Sequence, residues 1–161
     1  MGLFRGQGAT EYLVLLAVVL IVALVSVALL GFFPGMAADA QITQSSTYWK
    51  SASPFAIMEN VVAAGSITGN VTVNGTGTFT IQTMKADGQY TITSLNVGPC
   101  TANTTSMTFA PGEAKKMSFG GCGVNTPGAV YDWGVNITYT TPSGIAGVKQ
   151  YGSQTVMGKF I

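Results

Sequence analysis

Residues Tyr12 to Phe33, YLVLLAVVLIVALVSVALLGFF, make an unbroken apolar run, and one acid, Glu11, stands directly before it in RGQGATEY. This run limits what the chain can fold into more than any other feature. A helix rises ~1.5 Å per residue, so the run is about as long as the ~30 Å hydrocarbon layer of a bilayer is thick. Its apolar residues lie all round a helix and not along one stripe, which suits a membrane or a buried filament core and excludes the surface helix of a soluble domain. Burying one large apolar side chain contributes roughly 1.5–3 kcal/mol, so the run would cost several tens of kcal/mol to leave in water.

The rest of the 161 residues is polar and has room for one globular domain. Charged residues make up 8% of the chain and the net charge is +1, which gives no basic patch for nucleic acid and no field for an acidic substrate. Histidine is missing, and Asp39, Glu59, Asp87, Glu113 and Asp132 are scattered without pairing. Neither a catalytic set, a metal site nor a cofactor is therefore expected, and the chain does not read as an enzyme. The glycine-rich GSITGNVTVNGTG lacks the lysine and the strand-to-helix context of a phosphate loop. Lys115-Lys116 reads as a solvated turn. Trp49, Trp133 and the tyrosines read as core, in preference to a sugar-binding or conductive row.

Past the run, Pro34 and Gly35 interrupt the pattern, which then resumes through Ala37, Ala40, Ile42, Tyr48 and Trp49. The expectation is one long helix over residues 7–53, about 70 Å in length at the standard rise, kinked or briefly broken near Pro34 and ended by Ser53-Pro54. After Gly65 the period becomes two: Val71 and Val73, Phe79 and Ile81, Tyr90 and Ile92, then Val135, Ile137 and Tyr139 alternate with Thr, Asn and Gln. Asn74-Gly75 and Asp87-Gly88 suit tight hairpin turns. The predicted fold class is α+β: a hydrophobic N-terminal helix, then an all-β domain over residues 54–161, an antiparallel meander or sandwich.

Cys100 and Cys122 are the two cysteines of a chain that looks exported, which argues for one structural disulfide, with two reduced core cysteines as the alternative. Pro99, Pro111-Gly112 and Gly120-Gly121 break the chain around them, so a bridge would tie loops at one end of the sheet. Asn-x-Thr sequons occur at Asn70, Asn74, Asn103 and Asn136, a modest excess over what composition alone produces, and all four are candidates for N-glycosylation. Arg5 precedes the run and no basic residue follows it until Lys50, which points the N-terminus toward the cytoplasm.

Three readings compete for the first forty residues. A secretory signal cut at the small-x-small site Gly35-Met36-Ala37 fits poorly, because the run exceeds the usual 7–15 residues and an acid stands where a positive flank belongs. A permanent single-pass anchor explains the length and leaves Glu11 unexplained. A carboxylate costs about 2.5–3.5 kcal/mol at the centre of a bilayer, less near its surface, and wants a partner. Cutting between Gly6 and Gln7 would supply one, an α-amino group of ordinary pKa about 7.7–8.0 four residues from Glu11. An acid in the first turn of a helix also gains roughly 0.3–1 kcal/mol from the helix dipole.

MGLFRG followed by QGATEYLVLLAVVLIVALV resembles the N-terminus of archaeal type IV pilins with a class III signal sequence, and YWKSASPFAI, Tyr48 to Ile57, is also similar to such pilins. The resemblance covers about a quarter of the chain and rests on the combination of its parts. It implies removal of a leader, residues 1–6, by a prepilin peptidase cutting after Gly6, with Gln7 as the first mature residue. It also implies that Glu11 is the charge that sets register between subunits. The expected function is then a structural subunit of an extracellular adhesive pilus: a membrane protein as precursor, a helical homo-oligomer when mature. Its partners would be the peptidase, an assembly ATPase and a membrane platform protein. A membrane-anchored surface binding domain that never polymerises and an archaellum-type motility filament subunit are the alternatives.

Overall fold

The apolar run and the segment after it form one helix, α1, Gln7–Ser51. The computed structural model describes residues 7–161, with backbone alone for Gln7 and residues 32–34. The helix continues through Pro34, so the expected interruption does not become a break. Proline removes a single backbone donor, which a helix of this length absorbs without ending. The helix stops two residues earlier than expected, at Ser51, and the chain turns through a cis Ser53-Pro54 peptide into the first strand.

By internal contacts the chain divides at Ala40/Gln41, so the last turns of α1 belong with the β-domain. Three side chains make this attachment. Ser45 is buried; its hydroxyl donates to the Thr155 carbonyl at 2.7 Å and accepts the Met157 N–H at 3.0 Å. Trp49 is 1% exposed, and a Cβ on Gly152 would run into its indole. The Tyr48 hydroxyl also accepts the Ser153 N–H at 2.9 Å.

Eleven strands follow: β1 Phe55–Ala63, β2 Ser66–Thr68, β3 Val71–Val73, β4 Thr76–Thr83, β5 Tyr90–Val97, β6 Met107–Phe109, β7 Ala114–Phe119, β8 Val130–Trp133, β9 Val135–Thr140, β10 Val148–Tyr151 and β11 Val156–Lys159. The α+β class is as expected, and the β-domain is a sandwich and not a meander. One antiparallel sheet has the order β1-β4-β7 and the other β10-β9-β5-β6, with β11-β8 and β2-β3 as separate pairs. The two main sheets meet through Phe55, whose ring stands edge-on to Tyr90, Phe109 and Tyr139 at centroid separations of 6.0, 5.6 and 5.3 Å. Phe79, Ile81, Ile92, Leu95, Met117 and Ile137 complete the buried core between them. The C-terminus is stitched on as well, since Ile161 donates to the Val62 carbonyl and accepts the Ala64 N–H.

Neither expected hairpin turn is one. β3 pairs with β2 and β4 with β1 and β7, so Asn74-Gly75 joins two different sheets. Gly75 is held beside the bridged loop, its N–H donating to the Gly123 carbonyl at 2.7 Å and its carbonyl accepting the Cys122 N–H at 3.1 Å. The tight turn lies at Gly69-Asn70, where Gly69 takes φ 61°. Asp87-Gly88 likewise carries the chain from one main sheet to the other. Lys115-Lys116 is no turn but part of β7, with the Lys115 ammonium bound to the Thr108 carbonyl and 5.6 Å from the centre of the Phe109 ring. A lysine stem covers apolar surface while its charged end stays wet.

Gly152→Ala is expected to push Trp49 out of its seat and destabilise the β-domain by about 1–3 kcal/mol. Urea unfolding of the full chain in detergent, followed by tryptophan fluorescence, measures it. Ser45→Ala is expected to cost about 1–3 kcal/mol in the same assay, because it leaves the Met157 N–H without its acceptor.

Candidate functional site

The largest unsatisfied feature of the chain is the perimeter of α1. Leu13, Val14, Leu15 and Leu16 are 60, 63, 65 and 44% exposed, and as successive residues they point about 100° apart, to every side of the helix. The helix is long and apolar enough to cross a membrane. Its polar atoms do not oppose this, since the Ser26 hydroxyl donates to the Val22 carbonyl at 2.8 Å and is satisfied within its own helix.

Glu11 is exposed and lies beside Thr10, Val14 and Leu15 in an open, largely apolar dent. With Gln7 as the first described helical residue, Glu11 falls one position beyond the first turn, in which no acid stands. Its gain from the helix dipole is therefore smaller than the sequence suggests, because that effect fades within the first turn. Gly6, the residue expected before the cut, lies outside the described residues. Gln7 and Glu11 are spaced i, i+4, which sets them one above the other on one face of the helix.

Cys100 and Cys122 form a disulfide, as expected. Cys100 follows β5 and Cys122 follows β7, so the bridge joins loops that belong to opposite sheets of the sandwich. Two strand-like contacts flank it, Leu95 with Asn103 and Thr101 with Gly120.

The four sequons differ in their surroundings. Asn70 and Asn74 are exposed at the ends of β3, whereas Asn103 and Asn136 are half-buried. The aromatic side chains are core at Trp49, Tyr90, Tyr131 and Tyr139, as expected, but Tyr48 and Trp133 are half-buried, and Tyr12 on α1 and Tyr151 on the outer face of β10 are 66 and 64% exposed. Tyr131 receives a hydrogen bond from the Asn60 amide at 2.6 Å, and burial pushes its hydroxyl above the usual range. Sequence reasoning missed Ser45. The only trace it leaves is a small polar residue one turn before Trp49 on an otherwise featureless stretch.

No protein-family model matches the chain, and no curated protein matches it. Among the described residues there is no grouping of three or more His, Cys, Asp or Glu side chains able to hold a metal ion.

Opening the bridge is expected to cost about 3 kcal/mol in the chain-entropy model, for cysteines 22 positions apart. Denaturant midpoints of the full chain with and without reductant measure this. A pH dependence is expected at Glu113. Its carboxylate accepts the Ala110 N–H at 2.8 Å and pairs with Lys115 at 3.1 Å, and these contacts, the Ala110 bond foremost, lower its pKa from 4.5. Such a carboxylate stabilises the fold fully above its unfolded pKa, and the gain is lost as pH falls through the folded value. Glu113→Gln should thus be less stable than the native chain at neutral pH and converge with it under acid, in unfolding curves taken at both.

Proposed function

We propose that this chain is a structural subunit of an extracellular type IV-like pilus, made as a membrane protein and polymerised through α1 once residues 1–6 are removed. The observation that carries the reading is the exposed apolar perimeter of α1 attached to a disulfide-bonded β-sandwich. A single helix in a bilayer covers that perimeter with lipid, and a bundle of such helices covers it with copies of itself. Lipid tails and sister helices are nearly equally apolar, so the exchange changes little hydrophobic energy, and packing and polar contacts decide it. In this scheme the chain stays embedded through the helix until cleavage frees the Gln7 amine.

Glu11 then docks against the amine of a neighbouring subunit. A register that leaves the carboxylate buried and unpaired is penalised by about 3–5 kcal/mol, the usual cost of removing one partner of a buried pair. Because the contact is head-to-tail and does not close, it repeats into an open helical filament. The prepilin peptidase, assembly ATPase and membrane platform protein are the partners this cycle needs, adhesion is the activity, and the cell surface is where the mature chain works.

N-terminal mass spectrometry of the native protein tests the first step. A start at Gln7 is expected; a start at Met1 or Gly2 favours the non-polymerising anchor, and one at Ala38 a secreted domain. Glu11→Gln is expected to be processed normally yet to give at least tenfold fewer sheared filaments by electron microscopy, and undiminished, well-ordered fibres would remove its register role.

A further inference from the structure

The four Asn-x-Thr sites fall into two kinds of surroundings. Asn136 is the second residue of β9, paired on both sides, with Asn96 of β5 and with Tyr151 of β10. The central residue of its sequon, Ile137, is fully buried in the sandwich core. Asn103 is fastened by its own amide: Nδ2 donates to the Ser118 carbonyl at 2.6 Å and Oδ1 accepts the Thr105 N–H at 2.8 Å. Its backbone also exchanges two hydrogen bonds with Leu95, at 2.8 and 2.9 Å. The nitrogen that would have to act as nucleophile there is committed to β7.

Asn70 and Asn74 stand on the β2–β3 hairpin. Three residue pairs hold it together, and neither strand pairs with any other. A two-stranded hairpin of this size is marginal by itself and opens locally at small cost. A glycosyl-transferring enzyme must bend the acceptor sequon out of its strand, which this hairpin allows and β9 does not. The hairpin also leaves Ile67, Val71 and Val73 more than half exposed, at 64, 62 and 56%. These are apolar side chains with a sequon at either end of β3.

We propose that the β2–β3 hairpin is the glycan carrier of this protein: Asn70 accepts an N-linked glycan, and Asn103 and Asn136 stay bare, as does Asn74, whose sequon runs on into β4 through Gly75, buried and bonded to Gly123 and Cys122. The proposal rests on the pilus reading only in requiring that the β-domain reach the outer side of the membrane. The donor is a lipid-pyrophosphate-linked oligosaccharide. The asparagine Nδ2 attacks its anomeric carbon and a C–N bond forms; the anomeric C–O bond breaks with its electron pair leaving on the pyrophosphate, and the Nδ2 proton passes to a base of the transferase. The sugars rooted there shield Ile67, Val71 and Val73, which no other strand covers.

Tryptic mass mapping of the full-length protein from its own cells tests this, because cleavage at Lys50, Lys85, Lys115 and Lys149 puts Asn70 and Asn74 on one peptide and Asn103 and Asn136 on two others. The glycan mass is expected on residues 51–85 and absent from the disulfide-linked pair 86–115 and 117–149. Thr72→Val, at an exposed position, should remove the mass carried by Asn70 and leave the linked pair unchanged. Glycan on Asn74, Asn103 or Asn136, or a bare hairpin in protein whose bridge is intact, overturns the proposal. A bare hairpin together with free thiols at both cysteines overturns the export on which the pilus reading also stands.

Discussion

An apolar perimeter with no inner face cannot be buried by the chain that carries it. Along α1 the large side chains from Tyr12 to Leu30 look outward in every direction, and a single layer of β-structure could cover one side of them at most. The division of labour in the chain follows from this. One part depends on an environment supplied from outside, either lipid or other helices, and the other makes its own interior from two sheets.

The junction between them is built to keep these two requirements apart. Ser45 and Trp49 take the end of the helix into the sandwich by two hydrogen bonds and one tightly seated indole, so the β-domain begins before the helix ends. Gln150 continues the join one layer further in. Its side-chain amide donates to the Phe55 carbonyl at 2.8 Å and accepts the Phe55 N–H at 3.0 Å, doing for the first residue of β1 what a neighbouring strand would do. The disulfide serves the opposite need, joining loops that follow β5 and β7, strands of different sheets.

Much of this was legible in the residues. A run with no polar face can only be a helix in an apolar setting, and strict alternation at Phe79 and Ile81 or at Val135, Ile137 and Tyr139 leaves little besides a half-buried strand. What escaped was pairing. Asn74-Gly75 and Asp87-Gly88 have the chemistry of hairpin turns, yet the strands beside them pair elsewhere, because a sandwich needs crossings between sheets and the same residue types serve both. β1 was hidden for a local reason: Phe55, Ala56 and Ile57 are all buried and a bulge follows Ile57, so its period is not two. In the candidate site, Glu11 and the cysteines announce themselves by being rare in their settings. The difference between an available sequon and a committed one lies in hydrogen bonds to Ser118 and in the pairing of β9, and no spacing encodes either.

The attachment of α1 to β11 also has a mechanical side. A pull along the helix enters the sandwich at Thr155 and Met157 through Ser45, and the chain end just beyond them, Ile161, is bonded to β1, the strand that follows the helix. Tension is thus taken up by neighbouring strands close to where it arrives. The β2–β3 hairpin pairs with none of these strands, so a load carried along α1 passes it by.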